Sequence, residues 1–272
     1  MCHPPAVPEG DTIFRTAATL HRWLHGRRIT GARSRGDAIA VGVLVGATVL
    51  GAEARGKHLL IRFEADEGPP LVLRSHMRMT GSWHVYAAGA PWPRPERQAT
   101  LVLEAGERTA VGFNVPVVEL TTERDVPRVR AIASLGPDVL VEPFDVDEVR
   151  RRAAGSDPGR PIGDLLLDQR VVAGIGNIYR CESLFQCGLH PWTPLSAIDA
   201  AVFDGLLLEA SRLMRANVGA ASPARGFGAG PDRPWVYGRS ARPCRRCATR
   251  ICSQRLGGQA RTVYWCPVCQ PA

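Results

Sequence analysis

The 272-residue chain reads as an α+β protein of several domains: an N-terminal antiparallel β-sandwich opened by one helix, a helical domain, and a C-terminal metal-bound ribbon. Three observations predict this. Short Val-, Leu- and Ile-rich segments punctuated by Gly and Pro run from Ala38 to Leu120, the signature of strands in a sandwich or flattened barrel. Between Val146 and Ala216 the apolar period becomes helical. At the end, Cys244, Cys247, Cys266 and Cys269 form a C-x2-C-x18-C-x2-C array, in which each pair can bite one tetrahedral ion from a single turn. The expected domains are residues 8–122, 137–234 and 238–272.

Taken in order, Ile13, Phe14, Ala17, Leu20 and Leu24 recur at helical spacing from Asp11 to His25, with Asp11 or Thr12 as N-cap and Gly26 as the stop. Strands are expected over Ala38–Val45, His58–Phe63, Leu71–Arg74, Gly81–Tyr86, Ala99–Leu103 and Val115–Leu120. The charged, proline-containing stretch from Thr121 to Asp138 reads as a linker. Helices are expected over Val146–Ala154, Pro161–Leu167, Arg180–Cys187 and Ala197–Ala216, followed by a Gly/Pro/Ala/Arg-rich loop from Ala220 to Pro234.

Composition narrows the function classes. A 45% hydrophobic fraction excludes a disordered chain. The formal net charge of +8 favours polyanionic partners, although a GC-rich genome would also yield many arginines. Lys57 is the only lysine. Eight cysteines in a chain this long do not make a dense disulfide framework, and no apolar run is long enough to span a bilayer. A soluble monomer of the cytosol is therefore expected, without a secretory signal. Cys2, Cys181, Cys187 and Cys252 read as small buried hydrophobes.

A ribbon of about thirty residues has too little core to fold without its metal. Such modules are staples or contact surfaces for nucleic acid, and cysteine spacing alone does not choose. Upstream, Gly174-Ile175-Gly176-Asn177 precedes a helix; it is either a tight turn or a phosphate clamp in which Asn177 caps the helix or donates its amide.

Four stretches carry a resemblance. Leu165 to Arg180 resembles the helix-two-turns-helix segment of the formamidopyrimidine-DNA glycosylase and endonuclease VIII family. Arg261 to Gln270 resembles its zinc finger, Pro8-Glu9-Gly10-Asp11-Thr12 its catalytic N-terminus, and Arg55-Gly56-Lys57-His58 its lysine motif. All stand in the family's order.

The resemblance implies a bifunctional DNA glycosylase and abasic-site lyase acting on damaged DNA, with Pro8 as nucleophile, Glu9 as proton carrier, Lys57 and Arg261 on phosphates, and Zn2+ in a structural role on the four cysteines. A terminal proline suits the task. With an amine pKa near 8, roughly a tenth is unprotonated at neutral pH, far more than of an ordinary lysine. Within Ser75 to Gly81, Met79 stands where the family carries a wedge that fills the gap left by an extruded nucleotide, with Arg78 reaching DNA beside it. On the residues alone, Met77 and Met79 equally fit alternating core positions of a strand.

Two departures stand out. Met1 to Val7 precede Pro8, so an overextended start, with Val7 as the initiator that is later removed, is expected. Asp11-Thr12 replace the family's commoner Pro-Glu. Val111 to Glu119 lacks the Arg-Arg-Phe element of the oxidised-purine branch, and Tyr264 to Pro267 is similar to the endonuclease VIII branch, which favours oxidised pyrimidines. The alternatives are an oxidised-purine glycosylase and a non-catalytic zinc-ribbon protein that binds damaged DNA.

Overall fold

The computed structural model describes residues 8–35, 39–219, 225–228 and 233–272. The chain divides into two compact units, Met1–Ala133 and Ser134–Ala272.

The first unit opens with helix α1, Gly10–Leu24. Its Ile13, Ala17, Leu20 and Leu24 form one buried stripe, as a helix lying on a sheet requires. The N-cap is Glu9, one turn edge earlier than the expected Asp11 or Thr12: its carbonyl accepts from Thr12 and Ile13 at 2.9 and 3.1 Å. Asp11 instead lies fully buried inside the first turn, where a carboxylate meets the positive end of the helix. Gly26, at φ +72°, stops the helix as expected.

Eight strands follow among the described residues: β1 (Gly31–Ser34), β2 (Thr48–Arg55), β3 (His58–Glu64), β4 (Leu71–His76), β5 (Ser82–Ala87), β6 (Ala99–Ala105), β7 (Arg108–Phe113) and β8 (Val117–Thr122). They form two antiparallel sheets, ordered β2-β3-β4-β8 and β1-β6-β7-β5. Alternation in β3 sends Leu59, Ile61 and Phe63 into the core that α1, Leu73, Leu101 and Leu103 share, and leaves His58, Leu60 and Arg62 on the other face.

The expected strand over Ala38–Val45 is corrected. Residue 38 lies outside the described residues, and Val41–Leu44 is a 3-10 turn, whose three-residue period buries Val41 and Leu44 together. Strands β1, β2 and β7 went unexpected. In β2 the reason is visible: its Gly, Ala and Glu residues have low strand propensity, and a register shift between Val49 and Gly51 breaks the alternation. The stretch read as a linker is folded over residues 123–133, where a 3-10 turn (Glu123–Arg128) and the short helix α2 (Arg130–Ala133) bury Val126 and Ile132.

The second unit contains α3 (Val146–Ala154), α4 (Ile162–Leu165), α5 (Asn177–Gln186), α6 (Ala200–Val218) and the hairpin β9 (Cys252–Leu256) with β10 (Arg261–Trp265). Asp145 caps α3 by accepting from the Glu148 amide at 2.9 Å. Helix α5 begins three residues before the expected Arg180, because tertiary contacts rather than apolar periodicity set its first turn. Residues 220–224 and 229–232 of the expected loop lie outside the described residues.

The ribbon packs on α5. Phe185 and Cys181 share a core with Val236, Ile251, Leu256 and Val263. Glu182, fully buried, accepts from the amides of Trp235, Val236 and Tyr237 at 2.7, 3.0 and 2.9 Å. Arg246 lies over the Phe185 ring at 4.4 Å, a cation–π contact from the ribbon to the helix. Of the remaining cysteines, Cys181 is buried, Cys187 and Cys252 are half-buried, and Cys2 lies outside the described residues. No helix among the described residues is long and apolar enough to cross a membrane.

Glu182→Ala strands three amide donors, that of Val236 buried and those of Trp235 and Tyr237 half-buried. Each unmet donor costs about 1–3 kcal/mol, so thermal unfolding monitored by tryptophan fluorescence is expected to shift well below that of the native chain.

Candidate functional site

In the first unit, β3 and β4 pair with His58 opposite His76. This brings two connections to one edge of the sheet: the two-residue Gly56-Lys57 turn between β2 and β3, and the loop of residues 77–81 after β4. Gly56, at φ +56°, supplies the left-handed conformation a tight hairpin needs. Lys57 therefore sits at the tip of a rigid ribbon, beside His58 and His76.

The loop is closed by the Gly81 amide, which donates to the Met77 carbonyl at 2.8 Å. A Cβ at position 81 would come within 2.7 Å of that oxygen, so only glycine fits without a shift. Met77 is core, at 1% exposure, whereas Met79 is 45% exposed. The two methionines that the sequence left equivalent are thus separated, and Arg78, at φ +46°, sits between them at the bend.

Beneath Lys57 runs a polar row: Arg74 Nη1 lies 2.8 Å from His58 Nδ1, Arg74 also pairs with Glu119 at 2.7 Å, and the imidazoles of His58 and His76 meet edge to face at 4.8 Å. Burial, then the charges of His76, Arg74 and Lys57, pull His58 down to about 3. Burial, with Lys57, Arg74 and Arg78, pulls His76 down to about 4. Both rings are neutral at physiological pH. Sequence reading quoted both histidines inside its motifs and assigned neither a role; their adjacency to Lys57 was the available signal, but cross-strand register supplies it.

Pro8 is half-buried, immediately before α1, and Glu9 is 1% exposed. Their position follows from α1, whose apolar stripe belongs to the same core as β2 and β3.

In the second unit, residues 166–176 turn twice between α4 and α5. Gln169 braces the turns: its Nε2 donates to the carbonyls of Leu167 and Ile175 at 3.2 and 3.0 Å, and its Oε1 accepts from the Gly174 amide at 3.1 Å. Gly174 takes φ +97°. Gly176, not Asn177, caps α5. The Asn177 amide donates to the Thr262 carbonyl at 2.9 Å, and buried Arg180 bonds both the Asn177 side chain and, at 3.3 Å, the Arg261 carbonyl. The helix start and the hairpin are thereby joined, with exposed Arg261 at the beginning of β10.

Cys244, Cys247, Cys266 and Cys269 place their Sγ atoms within 4.8 Å of one another, with separations of 4.0 Å for Cys244–Cys269 and 3.4 Å for Cys247–Cys266. A tetrahedron of thiolates about 2.3 Å from a central ion has edges of about 3.8 Å. The set fits one thiophilic cation. Hydrogen bonds from Thr249 lower the Cys247 thiol to about 6, whereas burial pushes the Cys266 and Cys269 thiols up, so it is the geometry of the four sulfurs that supports ligation.

Two family models match the chain: the formamidopyrimidine-DNA glycosylase N-terminal domain over residues 7–116 and the formamidopyrimidine-DNA glycosylase H2TH domain over 135–224. Among curated relatives, probable endonuclease 8 2 of Streptomyces coelicolor is 40% identical over 97% of this chain and 94% of its own length. DNA-(apurinic or apyrimidinic site) lyase Nei2 of Mycolicibacterium smegmatis is 37% identical over 98% of this chain and 100% of its own. A Lactococcus lactis Fpg crystallised with abasic-site DNA superimposes with a TM-score of 0.81 at 24% identity, covering 97% of this chain and all of that one, a likeness of fold.

Two outcomes are expected. The purified chain carries one equivalent of bound divalent metal, and Cys266→Ser lowers that equivalent and melts the hairpin, read by metal analysis and by the emission of Trp265. Acidification from about pH 6.5 towards about 4 destabilises the fold: the unfolded histidines take up protons that native His58 and His76 refuse, so stability rises with pH across that window. Denaturant titrations across it measure the slope, which His58→Gln reduces.

Proposed function

The chain belongs to the formamidopyrimidine-DNA glycosylase and endonuclease VIII family, and from that premise we propose that it is a bifunctional DNA glycosylase and abasic-site lyase of base excision repair, directed first at oxidised pyrimidines. The observation that carries this reading is the persistence of the four motifs, in order, inside a match that runs the length of the chain.

The chemistry begins at Pro8. Its secondary amine attacks the anomeric carbon of the damaged nucleotide as the bond to the base breaks, and the base leaves with a proton. Opening of the sugar yields an iminium, with Glu9 delivering the proton to the ring oxygen. The iminium withdraws electrons, so the neighbouring carbon loses a proton and the flanking phosphates are expelled in turn by β- and δ-elimination. Lys57 holds a phosphate and assists proton transfer; Arg261 grips the phosphate beside the lesion. Met79 enters the gap left by the extruded nucleotide, a role that suits its exposed, flexible side chain, and Arg78 reaches the opposite strand or the backbone beside it. Asn177 serves the phosphate clamp through the hairpin it anchors. The four clustered cysteines bind structural Zn2+, which shapes the hairpin and takes no part in the reaction.

This route needs a free amine, and an acylated Pro8 has none. Removal of residues 1–7 therefore belongs to the proposal, as do the domains at residues 8–122, 137–234 and 238–272, a monomeric state and a cytosolic location beside DNA. Sequence supports the pyrimidine preference through the missing Arg-Arg-Phe element in Val111 to Glu119.

A chain beginning at Pro8, mixed with an abasic oligonucleotide and borohydride, is expected to form a covalent adduct at Pro8, while Glu9→Gln loses at least about a hundredfold in base excision and still shifts DNA in a gel. A native Pro8 terminus that binds lesions and never cross-links identifies a non-catalytic binder instead. A lesion panel separates pyrimidine from purine preference.

A further inference from the structure

Both imidazoles beside Lys57 accept, on Nδ1, from groups that can only donate. Arg74 Nη1 stands 2.8 Å from His58 Nδ1, and a guanidinium has no acceptor. The backbone N–H of Arg78 donates to His76 Nδ1 at 3.1 Å. Each ring must therefore keep its proton on Nε2, because protonating Nδ1 would set donor against donor.

Arg74 is itself held in place. It is 5% exposed and stands opposite Glu119 in the β4–β8 register; its Nη2 and Nε reach the Glu119 carboxylate at 2.7 and 3.1 Å. Two parallel bonds fix the plane of the guanidinium, and the remaining Nη1 points at the imidazole.

We propose that Arg74, gripped by Glu119, is a positioning residue that fixes His58 as its Nε2–H tautomer, so that a DNA phosphate at Lys57 meets one cation and two neutral, directed donors. The proposal rests on Lys57 being a phosphate contact. Its physical logic lies in the crowding of this face. Around His58 stand Arg55 on β2, Lys57 in the turn and Arg74 and His76 on β4, with Arg78 beside His76 and Glu119 on β8 against Arg74. Only one of these is a carboxylate. A further cation on His58 would repel Lys57 and Arg74 in the unliganded protein; a neutral N–H adds a hydrogen bond to phosphate without that repulsion.

Long-range 1H–15N NMR of the full chain, free of DNA, between about pH 5.5 and 8 reads the tautomers directly. The expected result is Nε2–H on His58 and His76, with no titration of either. In Arg74→Met, His58 loses its fixed tautomer and its titration moves up, while burial and the charges of His76 and Lys57 still hold it below an ordinary imidazole. Affinity of that variant for an abasic oligonucleotide tightens severalfold on acidification as its His58 gains a proton, with a salt slope steeper by about one unit, whereas the native affinity shows no step at the same pH. Glu119→Gln loosens the guanidinium without removing its charge, so it releases the His58 tautomer while His58 still does not titrate in this range, and the tautomer readout serves if Arg74→Met fails to fold. A native His58 that carries its proton on Nδ1, or that titrates near 6.5, overturns the proposal whatever the DNA data. A variant His58 that titrates while affinity stays flat with pH overturns its link to phosphate. The expected tautomers in a chain that traps no lesion support the positioning and sink only the lyase.

Discussion

The antiparallel register of β3 on β4 is the constraint from which the first unit's site follows. Because His58 faces His76, the turn that ends β2 and the loop that leaves β4 must emerge at one edge, and Lys57 comes to lie beside the base of the Met79 loop. A slip of one residue would send Leu59, Ile61 and Phe63 out of the core and His58 and Arg62 into it. The hydrophobic face thus holds the polar face in place. The same register puts Arg74 opposite Glu119, so that a nearly buried guanidinium finds its counter-charge on the neighbouring strand and spends its spare donor on His58.

The second unit solves a different problem. A metal ribbon has little apolar surface, and its cysteines could close around an ion anywhere. Attachment to α5 gives the ribbon a location: Glu182 gathers three consecutive amides of the incoming chain, Phe185 receives Arg246, and Asn177 and Arg180 bond the strand that carries Arg261. One face of one helix therefore fixes both the start of α5 after its two turns and the arginine of the hairpin. Burying Glu182 pushes its carboxyl upwards, against the pull of the three amides, which is tolerable only because every lone pair facing the chain has a donor.

Much of this was legible in the sequence. The order of sandwich, helices and ribbon, the helix over Val146–Ala154, the stop at Gly26 and the cysteine set all follow from local periodicity, turn chemistry and ligand spacing. What failed did so for local reasons as well. Val41–Leu44 looks like a strand by composition and folds as a turn that buries Val41 and Leu44, three apart, and leaves Val43 exposed. Strand β2 hides behind Gly51 and its alanines, and is a strand because β3 pairs with it. The Thr121–Asp138 stretch reads as a connector because charges and two prolines interrupt it, although its Val126 and Ile132 are buried.

Sequence by itself determined which side chains were available for chemistry: a Pro-Glu pair before an amphipathic helix, one lysine at a strand end, a Gly-x-Gly turn and four thiols at chelating intervals. These are statements about neighbours along the chain, and short-range geometry is enough to make them. Only the tertiary structure decided that Met77 is core while Met79 is exposed, that Asn177 spends its amide on the hairpin, and that His58, His76, Arg74 and Glu119 stand together under Lys57. Those outcomes depend on which strand lies beside which and in what register, and that is set by the summed burial of apolar side chains across the whole sheet, a quantity no single segment contains.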